Sequence, residues 1–433
     1  MSSSNGSNVS RRDVIKTTAA LTAAATFASL GSNFAHAAEG NGDKIRVGLV
    51  GCGGRGTGAA EDCVRADPNV VLVAMGDMFQ DRIDTSKDRL KKDKEISDKI
   101  QVKDDQCFTG FDAYKKVIAA DVDLVILATP PGFRPGHIAA AIDADKHVFA
   151  EKPVAVDAPG VRSVLESAKK FKEKKKAFVA GAQRRHAVEY IETIKRIHDG
   201  ELGDVVSGNC YWNQKGLWMH PRKSEWSDME WQLRNWLYFT WLSGDHIVEQ
   251  HIHQHDVMNW VLGATPTKAY GMGGRQTRTD PAYGHIYDHF AVEYEYPKGV
   301  KVVSMARQQE GTDGRVAEHI VGTKGKSNCA GNMTGHDGKS LFRFKRPDGT
   351  PSPYRQEHVD LIASIRKGEP LNEAKQIAES TLTAIMGRMS AYTGKEVTWE
   401  QAMNSQESLM PGKLELGPIA TPAVPMPGKT QLT

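Results

Sequence analysis

The sequence predicts an α/β fold, a doubly wound parallel sheet followed by a second domain, and three stretches carry that prediction. Ile45-Arg46-Val47-Gly48-Leu49-Val50 is a short apolar run of strand character that turns at once into Gly51-x-Gly53-x-x-Gly56 and then into a helical segment. Val70 to Met75 is a second such run and ends at Gly76-Asp77. Asp123 to Ala128 is an almost unbroken apolar run, as a strand buried on both faces requires, and ends at Thr129-Pro130-Pro131. At 433 residues the chain is long enough for two domains with full cores.

Each element of the first half then has a reason. In a strand–turn–helix unit, Gly51 makes the tight turn and Gly53 lets the backbone approach a pyrophosphate. Gly56 lets helix and strand pack closely, Gly54 and Arg55 complete the cofactor loop, and the helix expected from Gly58 presents its N-terminal N–H groups to the anion. Asp77, ending the second strand, is the natural partner of an adenosine ribose diol. It also repels a 2′-phosphate, which favours NAD, although Arg55 could accommodate NADP. A charged helix is expected over residues 81–99, a short strand near 106–109 and a helix over 111–119. Thr129 and Pro130 stand at the carboxyl end of their strand, where an open α/β sheet binds its ligand. A helix from His137 leads to strand His147–Ala150 and then to Glu151-Lys152-Pro153. A lysine at a strand's carboxyl end, followed by a rigid proline, is well placed to polarise a hydroxyl.

Composition excludes several classes. Hydrophobic residues make up 39% of the chain and charged residues 25%, the balance of a soluble globular protein. A formal net charge of +3 offers no nucleic-acid surface, and the basic run at 169–176 reads as the solvated end of a helix. Five cysteines without metal-like spacing give no disulfide framework. At the N-terminus, Ser10-Arg11-Arg12-Asp13 is a twin-arginine pattern, followed by an alanine- and threonine-rich apolar stretch and by Ala35-His36-Ala37. Residues 1–37 are therefore expected to be a signal peptide cleaved after Ala37, placing the protein in the periplasm with no membrane span retained. The twin-arginine machinery exports folded proteins, often with cofactor in place. The periplasm offers no ready NAD pool, so the cofactor is expected to be tightly held.

In the second half, seven of eight tryptophans fall between residues 211 and 263. Aromatic faces suit the C–H faces of sugars, and Trp212, Trp218 and Tyr238 are the substrate candidates. The segment from Gly244 to Trp260 reads as one helix, in which His246, Glu249, His253 and Asp256 share a face while His251 and His255 point elsewhere. Glu249, four residues before His253, would orient its imidazole for general-base work. Asp256 is a further substrate candidate.

The Gly-rich turn, the Thr-Pro-Pro turn with His137 downstream and above all Glu151-Lys152-Pro153 resemble the Gfo/Idh/MocA oxidoreductase family. The resemblance implies a lysine beside the nicotinamide and substrate hydroxyl at Lys152, and Glu151 and Arg184 near the cofactor. It implies a catalytic acid/base at His253, with Glu249 in place of the family's aspartate. It also implies an α+β second domain on an open, mostly antiparallel sheet, often used to form dimers or tetramers. A metal site built from His246, Glu249 and His253 is the competing reading; HExxH is absent and the family match accounts for the same residues, so no metal is expected. The expected partition is signal 1–37, linker 38–43, Rossmann domain 44–182, substrate-binding and oligomerisation domain 183–410, and a Pro/Gly-rich extended tail 411–433. The expected activity is hydride transfer between a carbohydrate or polyol hydroxyl and the nicotinamide. The alternatives are an NAD-dependent glycosidase that oxidises its sugar transiently, and a non-catalytic sugar- and NAD-binding protein.

Overall fold

A computed structural model describes residues 43–432. The signal segment and residues 38–42 of the linker lie outside the described residues. The first sheet comprises β1 (Ile45–Val50), β2 (Val70–Asp77), β3 (Cys107–Thr109), β4 (Leu124–Leu127), β5 (His147–Ala150) and β6 (Phe178–Ala180), in the spatial order β3-β2-β1-β4-β5-β6 with every pair parallel. Val47, Leu49, Leu124 and Ile126 are fully buried. Helices on both faces explain why these strands read as apolar runs instead of alternating. The strand order reverses between β1 and β4, so the turn after β1 and Thr129-Pro130 after β4 flank one crevice. The helices are shorter than expected at one end: Gln80–Lys92 replaces the run expected over 81–99, and Ala113–Ala119 the one over 111–119.

The second sheet has nine strands: β7 (Val205–Gln214), β8 (Lys268–Gly274), β9 (His289–Glu295), β10 (Lys301–Gln308), β11 (Arg315–Gly322), β12 (Gly325–Ser327), β13 (Asn332–Gly335), β14 (Ser340–Arg343) and β15 (Val397–Thr398). Its order is β14-β13-β12-β11-β7-β10-β9-β8-β15, and only the β7–β10 pair is parallel. Alternation along β9 and β10 is that of a half-buried sheet. One face is covered by helices Ile252–Leu262 and Ala374–Thr393; a Cβ at Gly387 would come 2.0 Å from the Tyr294 hydroxyl, so glycine permits this approach. The other face presents Tyr270, Met272 and Met305 to solvent.

Two features depart from the expected partition. Helix Pro353–Lys367 returns to the first domain, where Leu361 and Ile362 join the core around Val47 and Leu49. Arg366 Nε and Nη2 grip the Asp67 carboxylate at 2.7 and 2.8 Å. Residues 411–432 form no helix or strand and lie along their own chain. The Gly417 carbonyl accepts from Met229 N at 3.0 Å, and the Pro425 carbonyl accepts from the Tyr287 hydroxyl at 2.9 Å. Among the described residues no helix is long and apolar enough to cross a membrane.

Candidate active site

The turn after β1 sorts its glycines into two kinds. Gly51 has φ +96°, and a Cβ there would lie 2.6 Å from the Ala128 carbonyl carbon; one at Gly56 would lie 1.8 Å from the Gly51 oxygen. These two close the turn. A Cβ at Gly53 or Gly54 meets nothing within 4 Å, because both face a cavity of about 510 Å³. Helix Gly54–Ala66 begins there with no side-chain cap, leaving its first N–H groups to the cavity. Gly51, Gly53, Gly54, Arg55, Gly56 and Asp77 line it from β1 and β2, and Thr129, Pro130 and His137 from the β4 side. Open room at two glycines, an uncapped helix end and a carboxylate at the end of β2 are what a dinucleotide requires, and the residues fit one.

Asp77 accepts from Cys52 N at 2.7 Å and from Phe79 N at 3.0 Å. Burial pushes its carboxyl above the ordinary range, against those two backbone bonds. His137 Nδ1 lies 3.2 Å from Thr129 Oγ1, and its ring stacks on Tyr114 with centroids 4.0 Å apart. Burial, helped by Arg134, lowers its pKa to about 3, so a neutral ring fixes Thr129. Arg55, which lines the cavity, is bonded to carboxylates. Its Nε donates to Glu151 Oε1 at 2.5 Å, and Nη2 lies 3.5 Å from Glu357 Oε1. The possibility that Arg55 receives a 2′-phosphate is therefore withdrawn, since its guanidinium is already committed to carboxylates.

At the carboxyl end of β5, Lys152 Nζ donates to Glu249 Oε1 at 2.9 Å and to the Glu249 carbonyl at 2.6 Å. Arg134, fully desolvated beneath it, donates to the Pro153 carbonyl at 2.5 Å and fixes the turn. His253 stands close enough that the Lys152 charge acts on it: burial first, then Lys152 and Arg184, hold its pKa well below the usual value. Its ring stacks on Trp212 with centroids 5.6 Å apart. Arg184 lies over the far side of this group, 5.9 Å from the Trp212 ring, with Nη1 bonded to Glu318 Oε1 at 2.5 Å. It belongs to the His253 end of the site and does not line the nucleotide cavity.

Several expected roles are corrected. The single histidine helix is two, His246–Glu249 and Ile252–Leu262, separated at Gln250-His251. The Glu249 carboxylate is bonded to Lys152 and not to His253. Asp256, a substrate candidate, is bound by Arg185 at 2.8 and 2.9 Å and by Ser380 Oγ at 2.8 Å, which makes it a buried structural ion pair. Tyr238 is fully buried and donates to the Trp218 carbonyl at 2.8 Å. Trp218 lines the nucleotide cavity, together with His220, Leu233, Arg234 and Trp236. The tryptophan density had marked this segment; nothing in it distinguished a nucleotide wall from a sugar platform. His246 is also removed from the reaction group, its Nδ1 lying 2.9 Å from Asp245 Oδ1. His251 and His255 converge from the helix on Ser304 Oγ, at 2.7 and 3.0 Å, beside Cys210. One hydroxyl can donate to one imidazole and accept from the other, which satisfies both Nε2 atoms without an ion.

Comparison with known proteins follows the same division. Residues 45–180 match the oxidoreductase family with an NAD-binding Rossmann fold, Gfo/Idh/MocA, and residues 190–327 match the C-terminal domain of that family. Residues 8–28 match the twin-arginine translocation signal, which indicates export by that route. A 2,7-anhydro-N-acetylneuraminate hydratase of Escherichia coli is 28% identical over 47% of this chain and 50% of its own. An inositol 2-dehydrogenase of Saccharopolyspora erythraea is 27% identical over 60% of this chain and 65% of its own. The chain thus spans half to about two thirds of the length of these curated relatives. A crystal structure of scyllo-inositol dehydrogenase from Lactobacillus casei with bound NAD(H) and scyllo-inositol superposes with a TM-score of 0.62 at 18% identity, covering 83% of this chain and 100% of that one.

Proposed function

Because the chain belongs to the Gfo/Idh/MocA oxidoreductase family and carries both of its domains, we propose that it is an exported NAD-dependent dehydrogenase acting on a CH–OH group of a carbohydrate or polyol. The observation that carries this reading is the bond between Lys152 of the Rossmann domain and Glu249 of the second domain, four residues before a buried His253 that stacks on Trp212. NAD, held by Gly53, Gly54 and Asp77, would supply the hydride acceptor. The residues of the chain do the rest. The Lys152 ammonium, steered by Glu249, donates to the substrate oxygen and stabilises the negative charge that develops there. The unprotonated His253 imidazole accepts the hydroxyl proton. Trp212, stacked on His253, offers an apolar surface to the C–H face of the substrate ring. Asp77 at the ribose position favours NAD over NADP, and with Arg55 committed to Glu151 no cation of the loop offsets that preference. Cleavage after Ala37, a periplasmic destination and a dimer or tetramer complete the proposal.

A second reading, an NAD-dependent glycosidase in which the sugar is oxidised only transiently and the hydride is returned after elimination, is favoured by a relative that is a glycosyl hydrolase family 109 protein of Streptomyces coelicolor, 25% identical over 64% of this chain and 56% of its own. A glycoside-cleaving enzyme of this kind would leave no net NADH. Product analysis separates the two: a keto-sugar or inosose supports net oxidation, whereas a freed aglycone or hydrated product with no net change near 340 nm supports the transient cycle.

A further inference from the structure

The nucleotide cavity has a wall that a Rossmann domain does not supply. Trp218, His220, Arg234 and Trp236, all from the second domain, face Gly53 and Asp77 across it. This wall is braced from behind. Asn235, fully buried, accepts from His220 N at 2.8 Å and donates to the His220 carbonyl at 2.9 Å. The Tyr238 hydroxyl holds the Trp218 carbonyl at 2.8 Å. Surface loops open readily when their backbone is bonded mainly to water; the backbone here is bonded to buried side chains. At the mouth, Arg234 crosses to the first domain. Its Nη1 and Nη2 lie 3.1 and 3.3 Å from the two oxygens of Asp81, and its guanidinium lies 3.9 Å over the Phe79 ring. Glu230 holds its Nε at 2.9 Å, so the side chain is set in this pose by its own helix. Phe79 and Asp81 directly follow Asp77, so the tie fastens the wall to the segment that would hold the adenosine ribose.

We infer that Arg234 is a latch that retains the dinucleotide, so that the nucleotide leaves only when the tie to Asp81 and Phe79 opens. This rests on the reading of the cleft as an NAD site and adds a residue, from the other domain, that governs how long NAD stays there.

The test is exchange of the nucleotide bound to the full folded protein against excess isotopically labelled NAD, read by mass spectrometry of the bound fraction. Losing a cation–π contact and a partly exposed ion pair should speed exchange about tenfold in Arg234→Ala. Asp81→Asn, a change on the exposed first-domain side, should speed it about threefold. The double variant should be no faster than Arg234→Ala, because both changes break one tie. Unaltered exchange in both single variants, or effects that multiply in the double variant, would overturn the latch. If Arg234→Ala does not fold, Asp81→Asn still decides the matter. An unaltered protein that neither carries nor takes up NAD would instead overturn the reading of the cleft.

Discussion

Lys152 Nζ makes both of its hydrogen bonds to one residue, Glu249, at 2.9 Å to the carboxylate and 2.6 Å to the backbone carbonyl. The pair joins the two domains at the carboxyl end of β5. Lys152→Ala should therefore lower kcat/KM by about 10²–10⁴-fold, the usual contribution of a positioned proton donor, with NAD still bound. Glu249→Gln keeps the carbonyl contact and loses only the charge-assisted one, so its loss should be nearer tenfold. Steady-state kinetics on both variants, with bound nucleotide quantified, checks this. A Glu249→Gln loss as large as that of His253→Ala would show that the carboxylate acts through the histidine after all.

His253 is buried, and burial with the nearby Lys152 and Arg184 charges keeps it unprotonated. His253→Asn should cost about 10²–10⁴-fold in kcat without altering NAD affinity. Because the folded-state pKa lies well below the ordinary value, the free enzyme's kcat/KM should show no protonation step near 6.5 belonging to this residue. A pH–rate profile with such a step that disappears in His253→Asn would contradict the assignment.

The two kinds of glycine in the turn should respond differently to one methyl group. At Gly56 it would meet the Gly51 carbonyl at 1.8 Å, backbone against backbone, so Gly56→Ala should destabilise the protein by about 1–3 kcal/mol or more. At Gly53 the space is empty and the backbone, φ −70° and ψ −179°, suits alanine. Gly53→Ala should leave the melting temperature of the nucleotide-free protein unchanged and weaken NAD, whose pyrophosphate would need that space. Calorimetry with and without NAD distinguishes the two.

Stability should fall with acid earlier than carboxylates alone would cause. Burial lowers His137 and His255 to about 3 and His147 and His285 to about 4. Above about pH 6.5 these groups are neutral folded and unfolded, and contribute no pH dependence. Below it the unfolded chain binds protons that the folded chain does not, so stability drops continuously down to about pH 3–4. His186 works in the opposite sense: burial alone would lower it, but Glu373 and Asp360 hold it well above its usual value. Burial also holds His251, His253 and His358 well below the usual value, so one residue shifted upward does not offset the group. Melting temperature measured from pH 8 to pH 4.5 should decline from about 6.5 downwards; a flat profile would contradict this balance.

The Rossmann half was legible because its signals are local. Strand, Gly turn and acidic residue lie within 33 residues of one another, from Ile45 to Asp77, and each does locally what its type dictates. The Lys152 position followed from a strand end. What failed was the long-range part. Periodicity assigned Glu249 to His253 by assuming one continuous helix, and the break at Gln250-His251 depends on contacts elsewhere in the chain. Gln250 Oε1 accepts from Gln214 Nε2 at 3.2 Å, and His251 Nε2 lies 2.7 Å from Ser304 Oγ, both partners distant in sequence. Asp256 read as reactive because its partners, Arg185 and Ser380, lie 71 and 124 residues away. Composition drew attention to the tryptophan segment, yet only the folded chain carries Trp218 and Trp236 to the cavity beside Gly53 and Asp77.

The most direct measurement is made on protein purified after export. The released nucleotide is identified by mass spectrometry after denaturation, and the native absorbance near 340 nm is followed while inositols, aldoses and glycosides are added in turn. The account predicts NAD in stoichiometric amount and an absorbance rise with at least one polyol or sugar, lost in Lys152→Ala. A protein that contains no dinucleotide and binds none when it is supplied would contradict it.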